Sequence, residues 1–310
     1  MSDSHQRSIR SLVGVAVAVT SLFLASCGSS TEETSGDDSY SVEHAMGTTV
    51  LDGTPERIVV IDSPHLDALV ALGITPVGAT ESSAGNGFPT YLADDLDGTT
   101  SVGQTSEPNL EAIANLAPDL IIGAKVRHEA LYDQLSAIAP TVFSENSGTD
   151  WQEQARITAA AVHESDDMDR LLTGISDRAV AVGDKVGAQG RTASIVRFRT
   201  DNFRLYGPRT FSGSILTEVG FDLGDRDWNE YSMLESSPEM FTQIDGDVVF
   251  YTNPAGDANV GTMPAVTGVW GALPAVAAGN VHEMEDETWM VGIGVVGAGT
   301  ILDQVESALT

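Results

Sequence analysis

Five arginines fall between Arg191 and Arg209 of this chain, at positions 191, 197, 199, 204 and 209, with Asp201 the one acid among them. Five charges against one leave a local surplus of four, inside a sequence whose formal net charge is −30. Guanidinium carries planar, paired donors that match carboxylates and similar oxyanions, so a cationic island in an acidic chain points to an anionic ligand. The segments Ala193–Arg199 and Phe203–Tyr206 flank Asp201-Asn202, a dipeptide suited to a two-residue hairpin turn. In that register Arg199 faces Arg204 and Arg197 faces Tyr206, while strand alternation puts Arg197 and Arg199 on one face. Opposed cations repel unless an anion lies beside them. Either a polyanionic ligand or neighbouring surface acids would relieve the repulsion.

Other side chains extend the candidate site. Arg127 follows the predicted strand Asp119–Ile122 at its carboxyl end, where open α/β sheets bind ligands; a salt bridge to Glu129 is its ordinary alternative. Trp289 and Tyr206 could stack on flat groups of a ligand. Phe88, Tyr91, Trp228 and Tyr251 are weaker candidates and read as core or rim. Glu111 and Glu239 each fall in the first turn of a predicted helix, where the dipole favours acids in any case.

Several patterns mislead. Gly292-Ile293-Gly294-Val295-Val296-Gly297 matches the dinucleotide fingerprint, but only 13 residues follow it, too few for the second strand and its acid. His128-Glu129 opens like a zinc-protease helix, yet Tyr132 stands where the second His belongs. The six histidines, at 5, 44, 65, 128, 163 and 282, form no close ligand pair, so no metal held by protein ligands is expected. No Gly-x-Ser-x-Gly nucleophile elbow occurs.

The elements that must position these residues begin after a leader. Arg7 and Arg10 precede an uncharged, mostly apolar run from Leu12 to Ala25 that ends in Leu24-Ala25-Ser26-Cys27. This is the pattern of a secretory signal over residues 1–26. Its 14 residues fall short of the roughly 20 that cross a bilayer. Cys27 is the sole cysteine, and it is expected to carry a lipid rather than to lie as a buried thiol. Residues 27–40, rich in Ser, Thr, Gly, Asp and Glu, read as a flexible tether. The charge balance excludes nucleic acid and broad contact with anionic lipid heads.

From Ser41 onward the chain exceeds what one core usually organises, and two lobes are expected, 41–164 and 189–310. Short β-branched runs alternate with helical patterns, which predicts parallel sheets covered by helices. Candidate strands are Arg57–Ile61, Asp119–Ile122 and Thr141–Phe143, then Ala193–Arg199, Asp247–Tyr251 and Val281–Glu283. Between the halves, Met168, Leu171, Leu172, Ile175, Ala179, Val182 and Val186 follow helical spacing, so one helix from about Asp166 to Val186 joins the lobes within residues 165–188. Such a stiff spine implies a cleft that closes by small angles. The halves also echo one another. Asn109-Leu110-Glu111 and Ser237-Pro238-Glu239 each lead, eight residues after the Glu, to an Asp that opens a strand, Asp119 and Asp247.

The stretches Val42–Gly47, Pro55–Val60, Asn109–Gly123 and Arg127–Pro140, with Trp270 and Gly279–His282, together resemble the iron-siderophore substrate-binding proteins of ABC importers. The resemblance covers nearly all of the chain after the leader. It implies an α/β fold of two Rossmann-like lobes joined by a long helix, with the ligand between them and a ligand-contacting arginine near Arg127. It also implies that Glu111 and Glu239 pair with arginines of the permease. On this basis Arg127, Arg197, Arg199, Arg204, Tyr206 and Trp289 are the expected ligand contacts. The expected partners are a ferric siderophore, an ABC permease and, through Cys27, the outer face of the cell membrane. The protein is expected to be a monomer without cofactor or catalytic residue, the iron being held by its chelator. Haem or cobalamin are the alternatives within the family. A secreted hydrolase is the alternative outside it.

Overall fold

The computed structural model describes residues 39–82 and 87–310; Arg7, Arg10, the apolar run, Cys27 and most of the expected tether lie outside them. The tether was expected to reach Tyr40, but folded structure has begun by Ser39. Strands β1 (Ser39–His44) and β2 (Gly47–Asp52) form an antiparallel hairpin. Tyr40 is fixed there because its hydroxyl donates to the Ala161 carbonyl at 2.8 Å and its ring meets His163 edge-on.

The first lobe is built on β3 (Ile58–Val60), β4 (Gly78–Glu81), β5 (Thr100–Gln104), β6 (Glu107–Pro108), β7 (Leu120–Ala124) and β8 (Thr141–Ser144). They form one sheet in the order β6-β5-β4-β3-β7-β8, parallel except for β6. The second lobe uses β9 (Ala193–Phe198), β10 (Phe203–Tyr206), β11 (Met233–Ser236), β12 (Val248–Thr252) and β13 (Val281–Glu283), in the order β11-β10-β9-β12-β13. Here β12 runs parallel to β9 and β13, and β10 runs antiparallel to both neighbours.

The central strands are apolar at successive residues because both faces of each sheet are covered. Ile58 and Val60 of β3 pack into one cluster while Val59 and Ile61 pack into another on the opposite face. In the second lobe Val248 and Phe250 face the helices and Val249 faces the other core.

The echoed aspartates explain where the central strands begin. Asp119 accepts from the backbone N–H groups of Glu56 and Arg57, both at 2.9 Å, just before β3. Asp247 accepts from the Thr192 N–H at 2.9 Å and its hydroxyl at 3.0 Å, just before β9. Each Asp therefore ties the entry of its own strand to the entry of the parallel strand beside it.

The joining helix runs Ser165–Val186, about 33 Å at 1.5 Å per residue. Asp166 and Asp167 in its first turn and Lys185 in its last suit the macrodipole, and Gly187 at φ 64° ends it in the left-handed conformation. Its buried stripe, Met168, Leu172, Ala179, Val182 and Val186, joins a cluster that also holds Trp289, Ile301 and Leu302. At Gly183 a Cβ would run into the Val219 carbonyl, so glycine here permits close approach of the helix Phe211–Val219.

Candidate functional site

The carboxyl ends of the parallel strands in both lobes point to one place. Asp62 follows β3, Arg127 follows β7, the segment Ser147-Gly148-Thr149 follows β8, and Asp286 follows β13. Arg127, Ser147, Gly148 and Thr149 of the first lobe, and Arg197, Arg204, Tyr206, Ser212, Tyr231, Met233, Trp289 and Ile293 of the second, line a shared cleft of about 260 Å³.

Each arginine is held by a carboxylate. Arg127 Nε lies 3.3 Å from Asp62 Oδ2, and its Nη2 donates to the Ser147 hydroxyl at 3.3 Å. Asp62 is 1% exposed, and its Oδ2 makes no hydrogen bond among the described residues, so the contact with Arg127 is one of charge more than alignment. Arg197 donates twice to Asp286, from Nε at 2.8 Å and from Nη2 at 2.6 Å. Burial opposes the Arg197 charge, but Asp286 outweighs it and leaves the pKa above its ordinary value. Arg204 and Arg199 share Glu235 Oε1, with Arg204 Nε at 2.6 Å and Arg199 Nη1 at 3.4 Å. Three of the four arginines line the cleft, and none of the three carboxylates does.

The register differs from the sequence expectation. Arg204 stands opposite Arg197, and Leu205 opposite Val196. Arg199 pairs instead with Asn202, so the turn residues are Thr200 and Asp201. Tertiary contacts override the Asp-Asn turn preference here. The Thr262 hydroxyl lies 3.0 Å from the Arg199 carbonyl and 2.9 Å from that of Asn202, which fixes those two residues as the closing pair. The opposed cations are real, but the relieving anions are Asp286 and Glu235.

Arg199 consequently lines a neighbouring basin of about 490 Å³ with Asn202, Asn253 and Val260, joined to the cleft through Arg197. The stacking expectation also needs correction. Trp289 is 1% exposed, donates its indole N–H to Gln304 at 2.8 Å and packs on Phe250 at 5.4 Å. It forms floor, not platform, and Tyr206 is likewise buried. The aromatic ring open to solvent at the cleft is Tyr231, 46% exposed, in the turn before β11. Sequence reading missed it, as it missed Asp62, Glu235 and Asp286, because one acid among 45 carries no distinguishing signal. Ser212 at the start of the helix Phe211–Val219 keeps a buried hydroxyl without a hydrogen bond among the described residues.

Glu111 and Glu239 lie away from this cavity, both exposed. Glu111 sits in the helix Leu110–Asn115, capped by the Asn109 side chain; Glu239 sits in a 3-10 turn, Pro238–Gln243, held down in pKa by the Ser237 hydroxyl.

The fingerprint-like glycines do bracket a helix start, that of Val295–Leu309, but its anion is internal. Asp67 accepts from Val296 and Gly297 N–H at 2.9 Å each, and a Cβ at Gly294 would meet the Asp67 carboxylate. With the helix start filled in this way, the dinucleotide reading has no structural basis.

The model of the family described as "Periplasmic binding protein" matches residues 58–288. The chain belongs to the periplasmic binding protein family. This is a family of solute-binding proteins and not of enzymes, and its two-lobed α/β architecture is the one described above. As a periplasmic binding protein, the chain is 38% identical over 307 residues to the "Probable siderophore-binding lipoprotein YfiY" of Bacillus subtilis (strain 168), covering 94% of each. It is 29% identical to the Fe(3+)-citrate-binding protein YfmC of the same organism, over 92% of this chain and 94% of that one. Among solved structures it is similar to Staphylococcus aureus SirA complexed with staphyloferrin B, with a TM-score of 0.75 and 31% identity, covering 87% of this chain and 98% of that one.

Proposed function

We propose that this periplasmic binding protein is an extracytoplasmic lipoprotein that captures an anionic ferric siderophore between its lobes and delivers it to an ABC importer. The observation that carries the reading is the convergence of Arg127 from one lobe with Arg197 and Arg204 from the other on a single cleft. The lining of that cleft carries three guanidinium groups and no carboxylate, which in a chain of net charge −30 makes it the place an anion is drawn to. Chelated iron needs no protein ligand, and oxygens of the chelate accept from the guanidinium groups, the Ser147 and Ser212 hydroxyls and Thr149. Relatives whose names specify siderophore and ferric citrate support this choice of ligand class. Tyr231 takes the stacking role at the rim.

Capture is followed by docking. Glu111 and Glu239, one on each lobe and both exposed, present carboxylates to arginines of the permease. Cys27, after the apolar run, carries the lipid that holds the monomeric protein on the outer face of the membrane.

Absorbance and tryptophan fluorescence of the purified protein mixed in turn with haem, cobalamin and ferric chelates test the ligand class. Saturable quenching by an anionic ferric chelate is expected. A shifted Soret band with haem, and no quenching by any ferric chelate, would reassign the site.

A further inference from the structure

Arg197, Arg204 and Glu235 stand side by side across β9, β10 and β11: Arg204 is in register with Arg197 on one side and with Glu235 on the other. Asp286 closes the row beyond Arg197. The two acids bracket the same arginines but are held very differently. Asp286 has a side chain 17% exposed, receives both donors of the Arg197 fork, and takes a third bond from the Thr252 hydroxyl at 2.8 Å. Glu235 is on an edge strand, its side chain is 48% exposed, and Nε and Nη2 of Arg204 and Nη1 of Arg199 all crowd onto the one oxygen Oε1, leaving Oε2 without an arginine.

That asymmetry decides which pair an incoming anion can break. An ion pair to a half-exposed carboxylate is weak, well within reach of a competing oxyanion. A half-desolvated bidentate pair with a third bond leaves an uncompensated charge when broken, which costs far more. Arg204 lines the inter-lobe cavity, and Glu235 does not, so Arg204 can be offered to a ligand by letting its partner go.

We propose that Glu235 is an internal stand-in for the ligand's own oxyanion. It competes with a carboxylate or catecholate oxygen of the chelate for Arg204 and Arg199, and swings toward solvent when the ligand takes its place. Asp286 stays on Arg197 throughout and fixes the direction of its fork. Glu235 thereby sets the threshold a ligand must pass: chelates that bring an oxyanion to Arg204 displace it, and uncharged chelates leave it where it is. This inference rests on the proposed function, and it adds a residue that tunes selectivity by competing rather than by contact.

Fluorescence-quench titrations of wild type, Glu235→Gln and Asp286→Asn against ferric citrate, a ferric catecholate and an uncharged ferric trihydroxamate test it. Both substitutions remove one negative charge from the same row, so a pure field effect moves both affinities the same way. The stand-in role moves them oppositely. Glu235→Gln should bind an anionic chelate up to about fivefold tighter, and Asp286→Asn about tenfold weaker, with the trihydroxamate unaffected by Glu235→Gln. Should Asp286→Asn fail to fold, Glu283→Gln on β13 removes an equivalent charge without touching an arginine, and it should leave affinity within about twofold. Unchanged or weaker binding by Glu235→Gln, or equal tightening across the charge-removing variants, overturns the inference. A wild type that binds no member of the panel overturns the ligand reading itself, and the inference with it.

Discussion

The carboxylate of Asp67, on a helix of the first lobe, caps the helix Val295–Leu309 of the second by accepting from the N–H of Val296 at 2.9 Å. Gly297 N–H adds a second bond at 2.9 Å, and the Tyr91 hydroxyl a third at 3.0 Å. Asp67→Ala strands these donors in a buried place, and should cost about 1–3 kcal/mol in urea unfolding. Because the cap spans the lobes, the variant should also unfold with a shallower transition. An unchanged midpoint would show that water replaces the carboxylate at no cost.

His65 supplies a pH dependence. It is fully buried between the Thr158 hydroxyl at 2.7 Å and the Ser144 hydroxyl at 3.0 Å, and burial pushes its pKa down to about 4. The unfolded chain takes up a proton below about pH 6.5 while the folded chain resists it. The contribution of His65 to stability is therefore complete above pH 6.5 and is lost as pH falls toward 4, by about 3 kcal/mol. Asp67, pushed by burial up to about 6, contributes a slope of opposite sign, but that slope is common to wild type and His65→Gln and cancels in their difference. Urea unfolding of both proteins at pH 7.5 and pH 5 checks this. If the variant loses as much stability as wild type, His65 is not the titrating group.

Docking separates from capture. Glu111→Lys with Glu239→Lys should abolish siderophore uptake in cells while leaving affinity in vitro within about twofold, since rim charges steer association with a partner more than they hold a ligand. Normal uptake would remove the docking role. A large fall in affinity would tie these carboxylates to the ligand or to the stability of their own turns.

Much of the fold was legible because its strands are buried on both faces and its joining helix has a long apolar stripe. Val281–Glu283 and the end of the helix at Val186 match the expectation to the residue, and Asp119 and Asp247 mark strand entries in both lobes. The hairpin β1–β2, whose side chains are mostly exposed or half-buried, left no apolar run to read. At the site, the arginines stood out against an acidic background, but their partners did not. The turn slipped by one residue because Thr262, sixty positions away from Asn202, selects the closing pair. Trp289 looked available because sequence gives no sense of depth.

In the proposed function, arginines of both lobes clasp one anionic chelate. Its most direct test is the dissociation constant of Arg127→Ala, Arg197→Ala and the double variant for the ferric chelate that wild type binds, measured by fluorescence quenching. Each single change should weaken binding by about 1.5–3 kcal/mol, the range for hydrogen bonds to charged groups. The double change should weaken it by at least as much as the larger single loss, with no matching loss for an uncharged chelate. Affinity for the anionic chelate that stays unchanged in the double variant would contradict the account and place the ligand elsewhere.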